Sequence, residues 1–249
     1  MNRILLEPAE IGSDGRAILG GERAEHIRSV LHGEVGQRLK TGVVGGLVGF
    51  STIEAVSPDG VTVSCRHDEA PLAPWCDLIL APPRPRVLKR LLPQLATIGV
   101  RRLLLVGAEK VEKAFWGAQL LKEEIYRPLL VEGLMQGAVS TALPQIGQCR
   151  NLPRWFEKGG FAEMFGAQPQ RVIAHPYADE AHQAAASSVA TDGPAAVPVF
   201  AIGPEGGWTD AEVALFEAHG FVRHGLGARI LKTETATIAL LSRFMPERA

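Results

Sequence analysis

The sequence predicts an α/β protein in two parts: a small β-rich unit over residues 1–70 and a larger parallel-sheet unit over residues 75–249. Three observations predict it. In the first 70 residues, short apolar runs at 3–6, 38–41, 43–53 and 61–65 are punctuated by glycine and by Asp14-Gly15 and Asp59-Gly60, as in a small barrel or sandwich. Ala70-Pro71-Leu72-Ala73-Pro74 then reads as a linker, because two prolines hold the backbone away from helix. From Asp77 onward apolar strands alternate with helical stretches, the pattern of a mostly parallel sheet.

Each element follows from its local pattern. One helical stretch, 22–31, interrupts the β-rich part. In the second part, 77–81 reads as a strand, and Pro85 opens a helix towards Gly99 that Pro93 should kink. Residues 102–106 form the next strand, and 115–139 a long helical region broken near Pro128. A strand at 171–174 ends on His175-Pro176, a helix spans 178–189, and 184–198 is an Ala-, Ser- and Pro-rich helix end and loop. Residues 198–202 read as a buried strand, 221–226 as a short one, and a last helix occupies 233–244.

Composition narrows the function classes. With 46% apolar and 21% charged residues the chain has ample material for a core. No apolar run reaches the roughly eighteen residues of a membrane span, and the first residues lack a signal-peptide stretch, so a cytoplasmic protein with no membrane partner is expected. Cys65, Cys76 and Cys149 fit no zinc spacing, and no metal is expected; they read as small buried residues. The net charge is −1, yet residues 84–127 hold ten Lys or Arg against four acids, an excess of six that a polyanion could use. Ordinary solvated helix faces would give the same count.

The last fifty residues carry the chemistry. The strand 199–202 runs into Gly203-Pro204-Glu205-Gly206-Gly207, and Thr209 and Glu212 then have capping-box spacing at a helix start. Three glycines in five residues permit close backbone approach, and strand carboxyl ends form the ligand crevice of an open α/β sheet. A plain tight turn would also use Gly and Pro. The second segment is Leu226-Gly227-Ala228-Arg229-Ile230-Leu231-Lys232-Thr233-Glu234-Thr235-Ala236. Its mixture suits an apolar pocket with a few fixed polar groups, and Thr233 or Thr235 could equally cap the final helix. No G-x-G-x-x-G lies between a strand and a helix, and there is no P-loop, which disfavours a nucleotide-dependent α/β enzyme of another kind, such as a dehydrogenase.

These two segments resemble the C-terminal signature of the ribosomal RNA small-subunit methyltransferase E family, RsmE, within the SPOUT superfamily. Further likenesses are the opening Met1-Asn2-Arg3-Ile4, the stretch His26-Ile27-Arg28-Ser29-Val30-Leu31, and Ala96-Thr97-Ile98-Gly99-Val100. The resemblance implies a PUA-like β-barrel RNA-binding domain over 1–70 and a SPOUT α/β-knot domain over 75–249. It implies S-adenosylmethionine (SAM) as cofactor, a homodimer, and 16S rRNA or the small ribosomal subunit as partner. The reaction would be methylation of uridine N3, at U1498 in the usual rRNA numbering. The SAM site would comprise His175, Pro176, Ile202, Gly203, Pro204, Glu205, Gly206, Gly207, Leu226, Gly227, Ile230, Leu231 and Thr235. RNA contacts would include Arg3, Arg28, Arg84, Arg86 and Lys89, and Arg229 would be catalytic.

The chain departs from the family pattern at Pro82-Pro83-Arg84-Pro85-Arg86, at Ile98, at Met135-Gln136-Gly137-Ala138-Val139-Ser140 and at Lys232. These regions are expected to touch RNA or a partner subunit. They leave two alternatives: methylation of a different nucleotide, or a catalytically silent knot-fold protein that binds RNA. His219 and His224 lie near the motifs and read as surface residues, so no general base is assigned. A salt bridge from Arg229 to Glu205 or Glu234 would make that arginine a brace instead of a catalyst.

Overall fold

The first of two sheets is built from β1 (Ile4–Leu6), β2 (Arg16–Leu19), β3 (Arg38–Val43), β4 (Val48–Val56) and β5 (Val61–Glu69), in the computed structural model, which describes residues 2–166, 170–176 and 197–247. Its order is β1-β3-β4-β5-β2; β1 runs parallel to β3 and every other pair is antiparallel. α1 (Gly21–Ser29) buries Ala24 and Ile27 against Leu19, Ile53, Val61 and Val63. The β2 strand is not expected from the sequence. It is a four-residue edge strand directly after the Asp14-Gly15 turn, too short for its alternation to stand out.

The second sheet is wholly parallel. Its strands are β6 (Cys76–Leu80), β7 (Val100–Val106), β8 (Gln145–Cys149), β9 (Arg171–Ala174), β10 (Val199–Ile202) and β11 (Val222–His224), in the order β11-β9-β10-β6-β7-β8. The order reverses between β10 and β6, the kind of switch point at which strand ends leave a crevice. β8 is also unexpected, being a polar edge strand (Gln-Ile-Gly-Gln-Cys) without the apolar run of a central one.

Among the described residues six helices serve this sheet: α2 (Pro85–Ile98), α3 (Glu123–Gly137), α4 (Leu152–Glu157), α5 (Gly160–Phe165), α6 (Asp210–Ala218) and α7 (Thr233–Phe244). Gly99 closes α2 at φ 97°, a left-handed conformation that favours glycine. The helical region expected at 115–139 begins with two 3-10 turns, Lys113–Gly117 and Gln119–Leu121. The helix proper starts at Glu123 and runs through Pro128, where a break is expected. Pro128 lies early in the helix, and Glu123 and Glu124 favour the positive end of the dipole. α3 crosses α2 closely, since a Cβ at Gly133 would stand 2.0 Å from the Pro93 carbonyl oxygen. The helix expected at 178–189, and most of the loop at 184–198, lie outside the described residues.

The proline-containing segment after β5 is pinned at both ends. The Leu72 N–H donates to Val139 O at 2.8 Å, and the Trp75 N–H to Gly99 O at 3.0 Å. The two sheets also meet directly. Met135 O accepts from the N–H groups of Asn2 and Arg3, both at 3.1 Å, and Arg127 makes a bidentate pair with Glu7 at 2.7 and 2.9 Å. Among the described residues no helix is long and apolar enough to cross a membrane. Cys76 and Cys149 are buried thiols, whereas Cys65 is only half-buried.

Candidate active site

Three loops leave the carboxyl ends of three neighbouring strands. Residues 175–176 follow β9, the glycine-rich loop follows β10, and residues 225–232 follow β11. They surround a cavity of about 470 Å³. Every residue named above for the SAM site lines it except Thr235, and Arg229 lines it as well. Thr235 is exposed on α7 and faces away, although Thr233 and Ala236 on either side of it line the cavity. Thr233 takes the expected place: it is buried, lines the cavity, and sits with its hydroxyl 3.5 Å from Gly203 O. Neither threonine caps α7, whose N-cap is Lys232 without a side-chain bond.

The glycine-rich loop is fixed from outside the cavity. The capping box forms as expected, with Glu212 accepting from the Thr209 N–H at 2.8 Å. The same carboxylate accepts from the Glu109 N–H at 2.8 Å, while Lys110 Nζ donates to Gly206 O at 2.9 Å. The loop after β7 therefore clamps the loop after β10. Each glycine has its own reason. A Cβ at Gly203 would press on the Trp208 ring at 3.1 Å, one at Gly206 would meet the Lys110 side chain at 3.0 Å, and Gly207 has φ 73°. Trp208, Asp210 and Thr233, which belong to the two segments but are not among the expected SAM contacts, also line the cavity, as does Lys110, which no sequence motif singles out. Lys110 arrives from a loop almost a hundred residues earlier, a distance that local motif reading does not cover.

Both nearby histidines differ from the surface residues expected. His219 is half-buried, stacks on Phe156 with centroids 4.1 Å apart, and places Nδ1 2.8 Å from Leu215 O. His224 is buried and lines the cavity, and its backbone carbonyl accepts from the His175 N–H at 3.1 Å. Burial, then the Arg243 charge, lower its pKa, so the ring is neutral at pH 7. Arg229 is exposed at the cavity and forms no ion pair among the described residues, so neither brace is present. Glu205 lies 3.7 Å from Arg84 instead.

The basic segment divides. Arg101 holds the fully buried Asp77 through two bonds at 3.0 and 2.6 Å, Arg102 donates to Met164 O, and Arg127 pairs with Glu7. Arg84, Arg86, Lys89 and Arg90 are exposed at the start of α2. This helix follows β6, the neighbour of β10, so its basic, positively polarised end stands beside the glycine-rich loop. Arg28 is half-buried on α1 and donates to Ser57 O and Glu25. Arg3 is engaged: Nε donates to Ala138 O at 2.7 Å, and Nη1 to Thr41 O at 2.6 Å and Gly49 O at 3.1 Å. The divergent stretch 135–140 lies at this same junction, away from the cavity lining.

A cavity of loops on the carboxyl ends of a parallel sheet agrees with the comparisons. A family model described as an RNA methyltransferase domain matches residues 69–245. The ribosomal RNA small subunit methyltransferase E of Treponema pallidum is 31% identical, the match covering 96% of this chain and 88% of that protein. The chain therefore belongs to the RNA methyltransferases, and among them to the ribosomal RNA small-subunit methyltransferase E family. A Neisseria gonorrhoeae member, solved bound to SAM, shares the fold with a TM-score of 0.70 at 19% identity, covering 98% of this chain and 96% of that one. A Legionella pneumophila protein solved with SAM has a TM-score of 0.69 at 24% identity, with 98% and 96% covered.

Proposed function

We propose that the chain transfers the methyl group of SAM to N3 of a uridine in 16S rRNA. The observation that carries this reading is the convergence of both family segments and the His175-Pro176 turn on one cavity. The two relatives solved with bound SAM share that fold. We also infer from the resemblance the knotted path of the sheet, the barrel closure of the first unit, and a cytoplasmic dimer. The apolar residues of α7 do not support the dimer, because Leu240 and Leu241 are buried in the chain's own core and Ile238 and Phe244 pack against it. Ile230, 83% exposed on the cavity rim, is better support for a missing cover.

SAM supplies an electrophilic methyl, so the residues mainly orient the acceptor. The target uridine must leave its stack, and N3 must lose a proton. Arg229 would donate to the uracil carbonyl that gains charge; a guanidinium is no base at physiological pH. Arg28, Arg84, Arg86 and Lys89 would meet phosphates, while Arg3 braces the junction. The silent-protein reading draws on the divergence at 135–140, a stretch that lies at the junction between the sheets and away from the cavity lining. Calorimetry with SAM, followed by methyl incorporation into small subunits lacking the modification, tests the proposal. SAM binding without incorporation would favour the silent protein, and incorporation mapped to another nucleotide would change the substrate.

A further inference from the structure

Buried polar nitrogens without a partner are costly and call for an explanation. Among the described residues, Trp208 Nε1 and His224 Nδ1 are two such atoms, and both residues line the same cavity. Trp208 has a packing role under Gly203, where a Cβ would lie 3.1 Å from the indole nitrogen. His224 has no equivalent account. It is 2% exposed, and its ring meets Phe244 edge-on with centroids 5.0 Å apart, a place that an apolar ring would fill without leaving a nitrogen unmet.

The cavity is graded in polarity. Lys110, Glu205 and Arg229 stand exposed around it, whereas Ile202 is buried and Leu226 half-buried beside His224. A sulfonium and an amino-acid terminus match the charged side. A flat uncharged base with donors and acceptors on its edge matches the apolar wall with one polar group. We propose that His224 binds the adenine of the methyl donor, exchanging one hydrogen bond between its imidazole and the polar edge of the base. This rests on the methyl-donor reading above. The neutral ring carries one donor and one acceptor, so either sense of the bond is available by choice of tautomer.

The test is calorimetry with S-adenosylhomocysteine at about pH 7.5, where the imidazole is neutral. His224→Phe keeps a ring against Phe244 and should weaken binding about tenfold without lowering the melting temperature. His224→Gln, which retains a donor and an acceptor, should recover part of that loss. Analogues lacking the 6-amino group, or with carbon in place of ring N1, N3 or N7, identify the partner atom. One of them should bind wild type about tenfold more weakly, with no further loss in His224→Phe. Wild-type affinity in a folded His224→Phe, or equal losses for every analogue in both proteins, overturns the assignment. Failure of wild type to bind S-adenosylhomocysteine overturns the methyl-donor reading itself.

Discussion

The cavity wall and the junction between the sheets use the same materials, loops with arginines and backbone carbonyls, and differ in what is left unmet. At the junction, Met135 O takes two N–H groups, Arg3 reaches three carbonyls, and Thr141 Oγ1 donates to Gly46 O at 2.6 Å. At the cavity, Arg229 forms no ion pair among the described residues and His224 Nδ1 has no partner. Satisfied groups hold a scaffold; a concave surface with unmet groups is fitted to receive something. The difference separates two arginines that the resemblance ties to function: Arg3 is bonded to three carbonyls within the fold, and Arg229 forms no ion pair among the described residues.

The largest expected effect tests the unmet side. Arg229→Ala should lower single-turnover methyl transfer on the order of 10²–10³-fold, while affinity for S-adenosylhomocysteine and melting temperature stay near wild type. Turnover at the wild-type rate would remove Arg229 from the chemistry. Early melting would mean that it braces the fold after all.

Arg3→Ala tests the satisfied side and should act on stability. It strips three carbonyls of a charged donor, and about 2 kcal/mol is expected from urea unfolding. The salt dependence of RNA binding should not change. A flatter salt slope with unchanged stability would return Arg3 to the RNA surface and erase the contrast with the cavity.

The joint replacement of Arg84, Arg86, Lys89 and Arg90 by Ala should do the reverse. Stability should hold, because these side chains are exposed, and the log–log salt slope of RNA binding should fall by about 0.7 for each phosphate that the variant no longer neutralises. An unchanged slope would mean that the start of α2 faces away from the RNA.

Legibility follows locality. Strands such as Arg171–Ala174 and the helix Thr233–Phe244 are readable because a compact apolar pattern and its flanking turn residues lie within one window. The cavity loops are readable because glycines and the Arg229 segment cluster in the last fifty residues. What is not readable depends on distant pairing. Lys110 joins the cavity only because β7 ends near β10, and Arg101 is removed from the basic surface by Asp77, 24 residues earlier. His224 reads wrongly as a surface residue because a histidine in a three-residue strand gives no sign of its burial until Phe244 packs on it.

The smallest expected effect links pH to the junction. Thr41 Oγ1 lies 2.7 Å from Ser51 Oγ and 2.8 Å from His67 Nε2, and Arg3 reaches the Thr41 carbonyl from the other side. Burial, and then the Arg3 charge, hold the His67 pKa below its ordinary value, although Asp68 opposes this. The folded protein thus binds fewer protons at His67 than the unfolded chain as pH falls below about 6.5. Stability from this site is complete above that pH and is lost as pH falls through the folded pKa. His224, whose pKa is lowered in the same direction, adds a contribution of the same sign from the cavity side. His67→Gln should therefore reduce, without abolishing, the loss of urea stability between about pH 7 and pH 5, and Arg3→Ala should shrink the His67 share because one cause of the shift is gone. If His67→Gln leaves the pH dependence intact, the histidine is protonated as readily in the folded protein as in the unfolded chain, and the junction is wetter than its hydrogen bonds imply.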